Sequence, residues 1–352
     1  MIPSDAILKH QPGDFVVREN MMVQLTPRQG AEQHYLLLRK CGYTTMEACR
    51  RIATEFGLTS RAVAYGGLKD EDAITEQMVS LPIDAATPEA LNGGWTLHDE
   101  PHRWLQLQHY GYGREPLAIG ALEGNGFQIV IRNLDSDGAS VFESVGKLSS
   151  LFLNYYDTQR FGVPGGPKRT HHVGEAILEA RWDDARRELI SLGAAESAMA
   201  RDATNAPAFF LELDPRTVAF YLSAHGSHQW NQLLRSHVTT LPATDRVAVE
   251  VEGITYDYVT ATQSAARLMA DVVSLPQSKY EFREGVAVEI PSQRATVVQT
   301  AMTVTDVGDD DQLPGRYAAS VRFFLPSGTY ATAAIRQLLW VLAQRQPVGA
   351  GS

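Results

Sequence analysis

The sequence predicts an α+β fold, with a mixed sheet in about the first 150 of its 352 residues. Residues 103–109 and 127–132 alternate apolar and polar side chains, which is the pattern of half-buried strands. Residues 183 to about 234 instead follow a helical period. The first part of the chain therefore reads as α+β, and the pattern turns helical after it.

The first predicted elements are a strand and a helix. Residues 35–39 form a short apolar run that is typical of a buried strand. A helix is predicted over residues 44–56, because Thr44 and Glu47 have capping-box spacing and the apolar residues that follow share one face. Gly57 ends this helix.

A loop with charged residues comes next. We expect a short helix over residues 60–65, ended by two glycines, and a strand over residues 73–81, closed by Pro82. Asp70 therefore lies in a loop between two elements, where catalytic groups are often found.

The last part of the chain also gives clear elements. Residues 319–325 read as a strand, residues 326–328 as a turn and residues 330–343 as a helix. Residues 235–300 show a mixed pattern that predicts no definite element.

Composition limits the classes of protein. The length suits about two domains, and 44% hydrophobic with 20% charged residues is typical of a globular chain. The net charge of −10 excludes a uniformly basic nucleic-acid coat protein but leaves a local basic groove open. No membrane span or secretory leader is visible, and two closely spaced cysteines argue against a disulfide framework, so we expect a cytoplasmic protein.

Asp70 is the first candidate for chemistry. It follows Lys69 on the loop, and a neighbouring cation keeps a carboxylate ionised, as a nucleophile or base requires. The simpler interpretation of this acidic stretch is a solvated turn. No companion ligand cluster favours a metal there.

Residues 154–162 combine aromatic, amide and arginine side chains, which suit contacts to unstacked nucleotides, although a packed hinge is the alternative. The basic glycine-rich loop at residues 163–169 could contact phosphate, but it departs from the Walker A pattern. The histidines have no metal-ligand spacing, and no dinucleotide fingerprint or nucleophile elbow is present.

Six motifs follow one another along the sequence: Lys9 with DFVVRE at 14–19, GLKD and AITEQ within 67–77, GALEGNGF at 120–127, NYYDTQRFG at 154–162, SAHGSHQWN at 223–231, and FLPSGTYAT at 324–332 with Arg336. They span nearly the whole chain. Together, and in this order, they resemble the motifs of the TruD family of pseudouridine synthases.

The resemblance implies an isomerase that converts uridine to pseudouridine, usually in tRNA, with no cofactor and no metal. It implies a pseudouridine synthase core of mixed sheet, interrupted by a TRUD-type α/β insertion. The expected boundaries are residues 1–153 for the first part of the catalytic core, 154–299 for the insertion and 300–352 for the end of the core.

The resemblance also implies residue roles. Asp70 matches the catalytic aspartate, which attacks C1′ or removes the C2′ proton, and Lys9 or Lys69 would keep it charged. Phe127 would stack on the target base, which must leave its stack in RNA. The other expected substrate-binding residues are Phe15, Glu19, Asn125, Asn154, Gln159, Arg160, Phe161 and Tyr330, with Lys168 and Arg169 as phosphate or RNA contacts.

Acidic departures from the family pattern leave alternatives. Glu123 stands where lysine is common, Glu71 and Asp72 replace a pair that is often basic or neutral, and residues 309–311 form an acidic run, most simply a solvated loop. Acid repels RNA phosphates, so a free uridine nucleotide in C-nucleoside biosynthesis is the second hypothesis for the substrate. A non-catalytic RNA-binding module is the third. The sequence gives no oligomeric state.

Overall fold

The computed structural model describes residues 5–85, 91, 94–163 and 166–344, and the described chain forms two compact units. The first contains residues 5–149 and Thr300–Gly328, and the second contains Ser150–Gln299 and residues 329–344. The expected boundaries of the catalytic core and its insertion, at residues 153 and 299, stay a prediction. By packing, residues 329–344 group with the second unit rather than with the end of the core, and residues 345–352 lie outside the described residues.

Within the described residues, ten strands form one sheet in the order β5-β6-β2-β4-β1-β7-β14-β13-β8, with β3 also paired to β4. The strands are β1 Phe15–Met21, β2 Gln33–Cys41, β3 Ala64–Tyr65, β4 Ile74–Pro82, β5 Trp95–Glu100, β6 Arg103–Gly113, β7 Leu122–Leu134, β8 Lys147–Leu153, β13 Val297–Asp309 and β14 Tyr317–Pro326. β1 and β4 run parallel, whereas β1 and β7 run antiparallel, so the sheet is mixed as predicted.

In the described ranges of the first unit, the helices with given bounds are α1 Thr45–Glu55 and α2 Ser136–Val145. The capping box predicted for α1 is confirmed: the Thr44 side chain accepts a hydrogen bond from the Glu47 backbone, and the Glu47 carboxylate accepts one from the Thr44 backbone. Ile52 of α1 is fully buried in the same cluster as Leu36 and Leu38 of β2. The apolar periodicity of both segments therefore produces one core.

The prediction of a helix over residues 60–65 is wrong. Only a 3₁₀ turn, Ser60–Ala62, forms there, and β3 follows it with Ala64 opposite Ser80 and Tyr65 opposite Val79. A six-residue helix gains few internal hydrogen bonds for the cost of nucleation, whereas pairing with β4 satisfies the backbone immediately.

The acidic run at residues 309–311 is also not simply a solvated loop. Asp310 is buried and its carboxylate lies 2.6 Å from Nη1 of Arg132, which is itself buried. Asp14 binds the same guanidinium from the other side, at 2.8 Å, while Asp311 is a more exposed partner. Mutual neutralisation permits this burial, which the local charge pattern did not reveal.

The described part of the second unit is mostly helical and includes two hairpins. Its elements are α3 Thr170–Leu178, α4 Trp182–Leu192, α5 Ser197–Asp202, α6 Ala206–Glu212, α7 Pro215–Val238, β9 Arg246–Val251, β10 Ile254–Val259, α8 Thr262–Asp271, β11 Ser274–Arg283, β12 Val286–Ala295 and α9 Ala331–Leu342. The mixed pattern of residues 235–300 therefore corresponds to the β9–β10 and β11–β12 hairpins around α8. Within the described ranges, no helix has the length and apolar character needed to cross a bilayer.

Candidate active site

The loop that carries Asp70 connects β3 to β4 and is anchored by its backbone. The Lys69 N–H donates to Thr45 Oγ1 at 2.9 Å, and the Gly67 carbonyl accepts from Gln77 Nε2 at 3.0 Å. Gly66 lies close to β1, because a Cβ atom there would lie 1.8 Å from the end of the flexible Met21 side chain, which would have to move. The carboxylate is therefore presented on a loop of defined shape.

Asp70 and Lys9 form an ion pair. Lys9 Nζ lies 2.7 Å from Asp70 Oδ2, and the two side chains are 19% and 30% exposed. Lys9 Nζ also lies 4.3 Å from the ring centroid of Phe15, in a cation–π contact. The sequence left open which lysine faces Asp70, and in the structure it is Lys9.

Lys69 has a different partner. Its Nζ lies 2.6 Å from Glu19 Oε1, and both side chains are almost completely buried. The other carboxylate oxygen of Glu19 accepts a hydrogen bond from the Met78 backbone N–H at 3.0 Å. Buried ion pairs persist when hydrogen bonds satisfy their remaining atoms, so this pair joins the loop to β1 and β4.

Lys40 was missed by sequence reasoning. It is fully buried at the end of β2, and its Nζ donates to the carbonyls of Tyr43 at 2.7 Å, Lys69 at 3.3 Å and Asp70 at 2.7 Å. Burial lowers the pKa of Lys40 to about 8, although the Asp70 carboxylate acts in the opposite direction. The available signal was its alternation with the buried Leu36 and Leu38, which places the side chain inside.

Three phenylalanines form an aromatic group on neighbouring strands. Phe127 stacks on Phe323 with ring centroids 5.4 Å apart and meets Phe15 edge-on at 6.0 Å. Phe127 is half-buried, whereas Phe15 and Phe323 are buried. The role of Phe127 in stacking on a base stays a prediction.

Asn125 lies opposite Glu19 in the β1–β7 register, two residues before Phe127. Its side-chain oxygen is buried and accepts no hydrogen bond from the described residues. Buried polar atoms in folded proteins are normally paired, so this amide suits a ligand contact. The site residues described so far all belong to the first unit, and the predicted ones among them are Lys9, Phe15, Glu19, Lys69, Asp70, Asn125 and Phe127.

The other predicted site residues belong to the second unit. The Asn154 side chain is used internally: its amide donates to the Ala295 carbonyl, and its oxygen accepts from Arg294 Nη2 at 2.7 Å. Tyr330 is half-buried and meets Tyr156 edge-on at 5.9 Å. Burial raises the pKa of the Tyr330 hydroxyl to about 12, so this group stays neutral at physiological pH.

The 3₁₀ turn Thr158–Phe161 places its side chains differently. Gln159 is exposed, Arg160 donates from Nε to Ser227 Oγ at 3.1 Å, and Phe161 is fully buried. Complete burial favours a packing role for the Phe161 ring. Contact with the substrate stays a prediction for Asn154, Gln159, Arg160 and Phe161.

Two basic residues follow this turn. Lys168 Nζ lies 3.7 Å from a Glu252 carboxylate, and Arg169 lies 3.6 Å from Glu188. Residues 164–165 of the predicted phosphate-contact loop lie outside the described residues. Contact with phosphate stays a prediction for Lys168 and Arg169.

The acidic departures also have definite positions. Glu123 accepts a hydrogen bond from the Asn20 amide at 3.0 Å and is exposed at the start of β7. Burial, followed by the repulsion of Glu47 and Asp72, raises the pKa of Glu71. In the described part of the chain no cluster of three or more His, Cys, Asp or Glu could hold a metal.

Comparison with known proteins gives one consistent family. A family model described as tRNA pseudouridine synthase D (TruD) matches residues 3–215. A tRNA pseudouridine synthase D of Geotalea daltonii is 35% identical over 191 residues, and that of Aquifex aeolicus is 29% identical over 193 residues. These alignments cover 52% and 54% of this chain but only 44% and 48% of the relatives, so the chain spans about half their length.

Two further matches extend over almost the whole chain. The Colwellia psychrerythraea tRNA pseudouridine synthase D is 25% identical over 373 residues, covering 96% of this chain and 90% of the relative. A crystal structure from Methanosarcina mazei, assigned as a tRNA pseudouridine synthase D, superposes with a TM-score of 0.60 at 17% identity, covering 94% and 93% of the two chains. The structural likeness confirms the predicted fold class.

Proposed function

The chain belongs to the TruD family of tRNA pseudouridine synthases, and we propose from this membership that it isomerises uridine to pseudouridine in tRNA. The observation that carries the proposal is the Asp70 carboxylate, held on an anchored loop with the Lys9 ammonium 2.7 Å away. An adjacent cation favours the ionised carboxylate that attack on C1′ or removal of the C2′ proton requires.

The reaction explains the types of side chain in the first unit. The N1–C1′ bond of uridine breaks, the uracil turns, and C5 bonds to C1′. C5 then loses its hydrogen as a proton and N1 gains one, so the formula is unchanged. The detached uracil carries negative charge, which the Lys9 ammonium is suited to stabilise.

We assign Asn125 and Phe127 to recognition of the base. Asn125 offers an amide whose oxygen lacks a partner in the described residues, and amides recognise the polar edges of bases. Phe127 is half-buried beside it on β7, and an aromatic face suits stacking on uracil.

We assign Lys40 a positioning role. Its ammonium has no route to a substrate from a fully buried position, but it binds the carbonyls of both Lys69 and Asp70. Hydrogen bonds to charged donors are stronger than neutral ones, so this single group fixes the two peptide groups that flank the Cα atom of Asp70.

Tritium release from [5-³H]uridine tests the function, because bond formation at C5 must expel that hydrogen. The assay is run on tRNA and on uridine monophosphate, with Asp70→Asn as the inactive variant and Asp72→Asn as the matched loop control. We expect release from tRNA by the unchanged protein and by Asp72→Asn only. Release from the monophosphate alone would overturn the RNA substrate, and release from neither by folded protein would overturn the isomerase.

A further inference from the structure

The second unit contains a cavity of about 310 Å³ beside the start of α3. Five of its lining side chains are basic or can become so: Lys168, Arg169, His171, His172 and His228. Glu252 is the acidic residue of the lining, and it is engaged by Lys168 at 3.7 Å and by the Thr158 hydroxyl. The balance of charge around the cavity therefore favours an anion.

The cavity lies against a helix N-terminus. Helix α3 starts at Thr170, and its N-cap, Arg169, makes no side-chain capping hydrogen bond. The N–H groups of a first helical turn point outward and carry partial positive charge. This arrangement is favourable for a phosphate, and the basic side chains at the same place strengthen it.

A stack of imidazoles provides a second, independent observation. The His171 ring lies 4.1 Å from the His228 ring and 4.2 Å from the His172 ring, measured between centroids. His171 is only 6% exposed, and its Nδ1 atom and that of His228 are buried without a hydrogen-bond partner among the described residues. Buried nitrogens are normally paired, so these two atoms at the cavity wall suit contact with a polar ligand.

We propose that this cavity is a phosphate-binding site. Its occupant would be a backbone phosphodiester of the RNA substrate, an identification that rests on the function proposed above. Lys168 and Arg169 would supply charge at the cavity mouth, where their side chains are 23% and 49% exposed. The histidines would donate from inside.

Phosphate binding should be coupled to proton uptake. Burial, followed by repulsion from His228, His172, His225 and Arg169, lowers the pKa of His171 to about 3. Burial, followed by repulsion from His172 and His225, also lowers the pKa of His228, against the attraction of Glu175. A bound anion favours the imidazolium form, so binding of phosphate should raise the pKa of both imidazoles.

Imidazole NMR titrations with inorganic phosphate test the site directly, without reference to catalysis. The signals of His171 and His228 are identified with His171→Gln and His228→Asn variants. We expect phosphate to raise both titration midpoints, and Lys168→Ala combined with Arg169→Ala to abolish this shift. The control is Arg267→Ala, which removes an exposed arginine of α8 and should leave the shift intact. No shift, or a shift that persists in the double variant, would overturn the site.

Salt-dependent tRNA binding tests the occupant. Each lost phosphate contact lowers the magnitude of the slope of log K against log salt by about one. This magnitude should therefore fall by about one to two in the variant that combines Lys168→Ala with Arg169→Ala, and it should be unchanged in Arg267→Ala. A normal slope in a variant that has lost the phosphate response would overturn the RNA phosphodiester as occupant. Because both readouts are independent of turnover, an inactive protein with both responses would overturn only the isomerase.

Discussion

Lys9 Nζ lies 2.7 Å from Asp70 Oδ2, although the two residues are 61 positions apart in the chain. The lysine next to Asp70 in sequence, Lys69, instead pairs with Glu19. The charged partner of the candidate catalytic carboxylate therefore comes from the N-terminal segment. The lysine next to Asp70 in sequence serves instead to hold the loop against β1.

Replacement of Lys9 should therefore reduce activity more than it reduces stability. Lys9→Met removes the ammonium of the ion pair, and we expect kcat in the tritium-release assay to fall by at least about tenfold. Partly exposed ion pairs contribute little to folding, so the thermal midpoint should change only slightly. Equal kcat for Lys9→Met and the unchanged protein would contradict the role.

Lys40 should control activity through the loop backbone. Lys40→Met removes the donor to the carbonyls of Lys69 and Asp70, and we expect kcat to fall while KM changes little. Because the pKa of Lys40 is about 8, activity should also decline above pH 8, as the ammonium deprotonates. Lys40→Arg retains the charge and should lose this alkaline decline. An unchanged pH profile in Lys40→Arg would reject the positioning role.

The same buried lysine predicts an opposite trend for stability. In the unfolded chain a lysine titrates near its ordinary pKa, which is 10.5, whereas in the folded protein Lys40 titrates near 8. Between these values the unfolded state binds more protons, so the free energy of unfolding should rise with pH, by up to about 3 kcal/mol. Urea unfolding of Lys40→Met from pH 7.5 to 10.5 should lack this rise, and an equal rise in the variant would exclude Lys40 as its source.

Periodicity and capping predicted the elements that depend on local interactions. The capping box at Thr44 and the strand that became β4 follow from neighbours in the sequence. The short helix at 60–65 failed because β4, which lies further along the chain, offered a better backbone partner. Local pattern carries no information about that competition.

The candidate site shows the same limit. The family motifs identified Asp70, but which lysine faces it depends on how the N-terminal segment returns to the loop, and no spacing encodes that. Lys40 lies outside the recognised motifs, and its role became visible only through its three carbonyl partners. The burial of Asp310 likewise depends on Arg132, 178 positions away.

Glu123 should weaken binding of RNA. It is exposed two residues before Asn125 on β7, where the family pattern has lysine, and a carboxylate there repels phosphates. Glu123→Lys should raise tRNA affinity and steepen its salt dependence, as filter binding at several salt concentrations would measure. Glu143→Lys, an exposed change on α2, is the matched control for net charge. Equal effects of the two variants would show that only net charge matters.

The buried charges around Arg132 should matter more for stability than any exposed ion pair. Arg132 Nη1 contacts both Asp310 and Asp311, but Asp310 is fully buried at its side chain, whereas Asp311 is 69% exposed. Although burial opposes it, hydrogen bonds from the Gln312 and Asn133 backbones and from Arg132 lower the pKa of Asp310. Its contribution to stability is therefore present at neutral pH and is lost as the pH falls below the ordinary aspartate range.

Asp310→Asn should accordingly destabilise the fold by about 3 kcal/mol or more, because it removes one charge from a buried network. Asp311→Asn changes the same type of pair at the surface and should cost much less stability, because solvent screens an exposed ion pair. Urea unfolding at pH 7 compares the two variants directly. At a pH below the folded-state pKa of Asp310 the difference between Asp310→Asn and the unchanged protein should shrink, since the native carboxylate is then also neutral. A cost for Asp311→Asn as large as that for Asp310→Asn would show that burial does not determine the strength of this network.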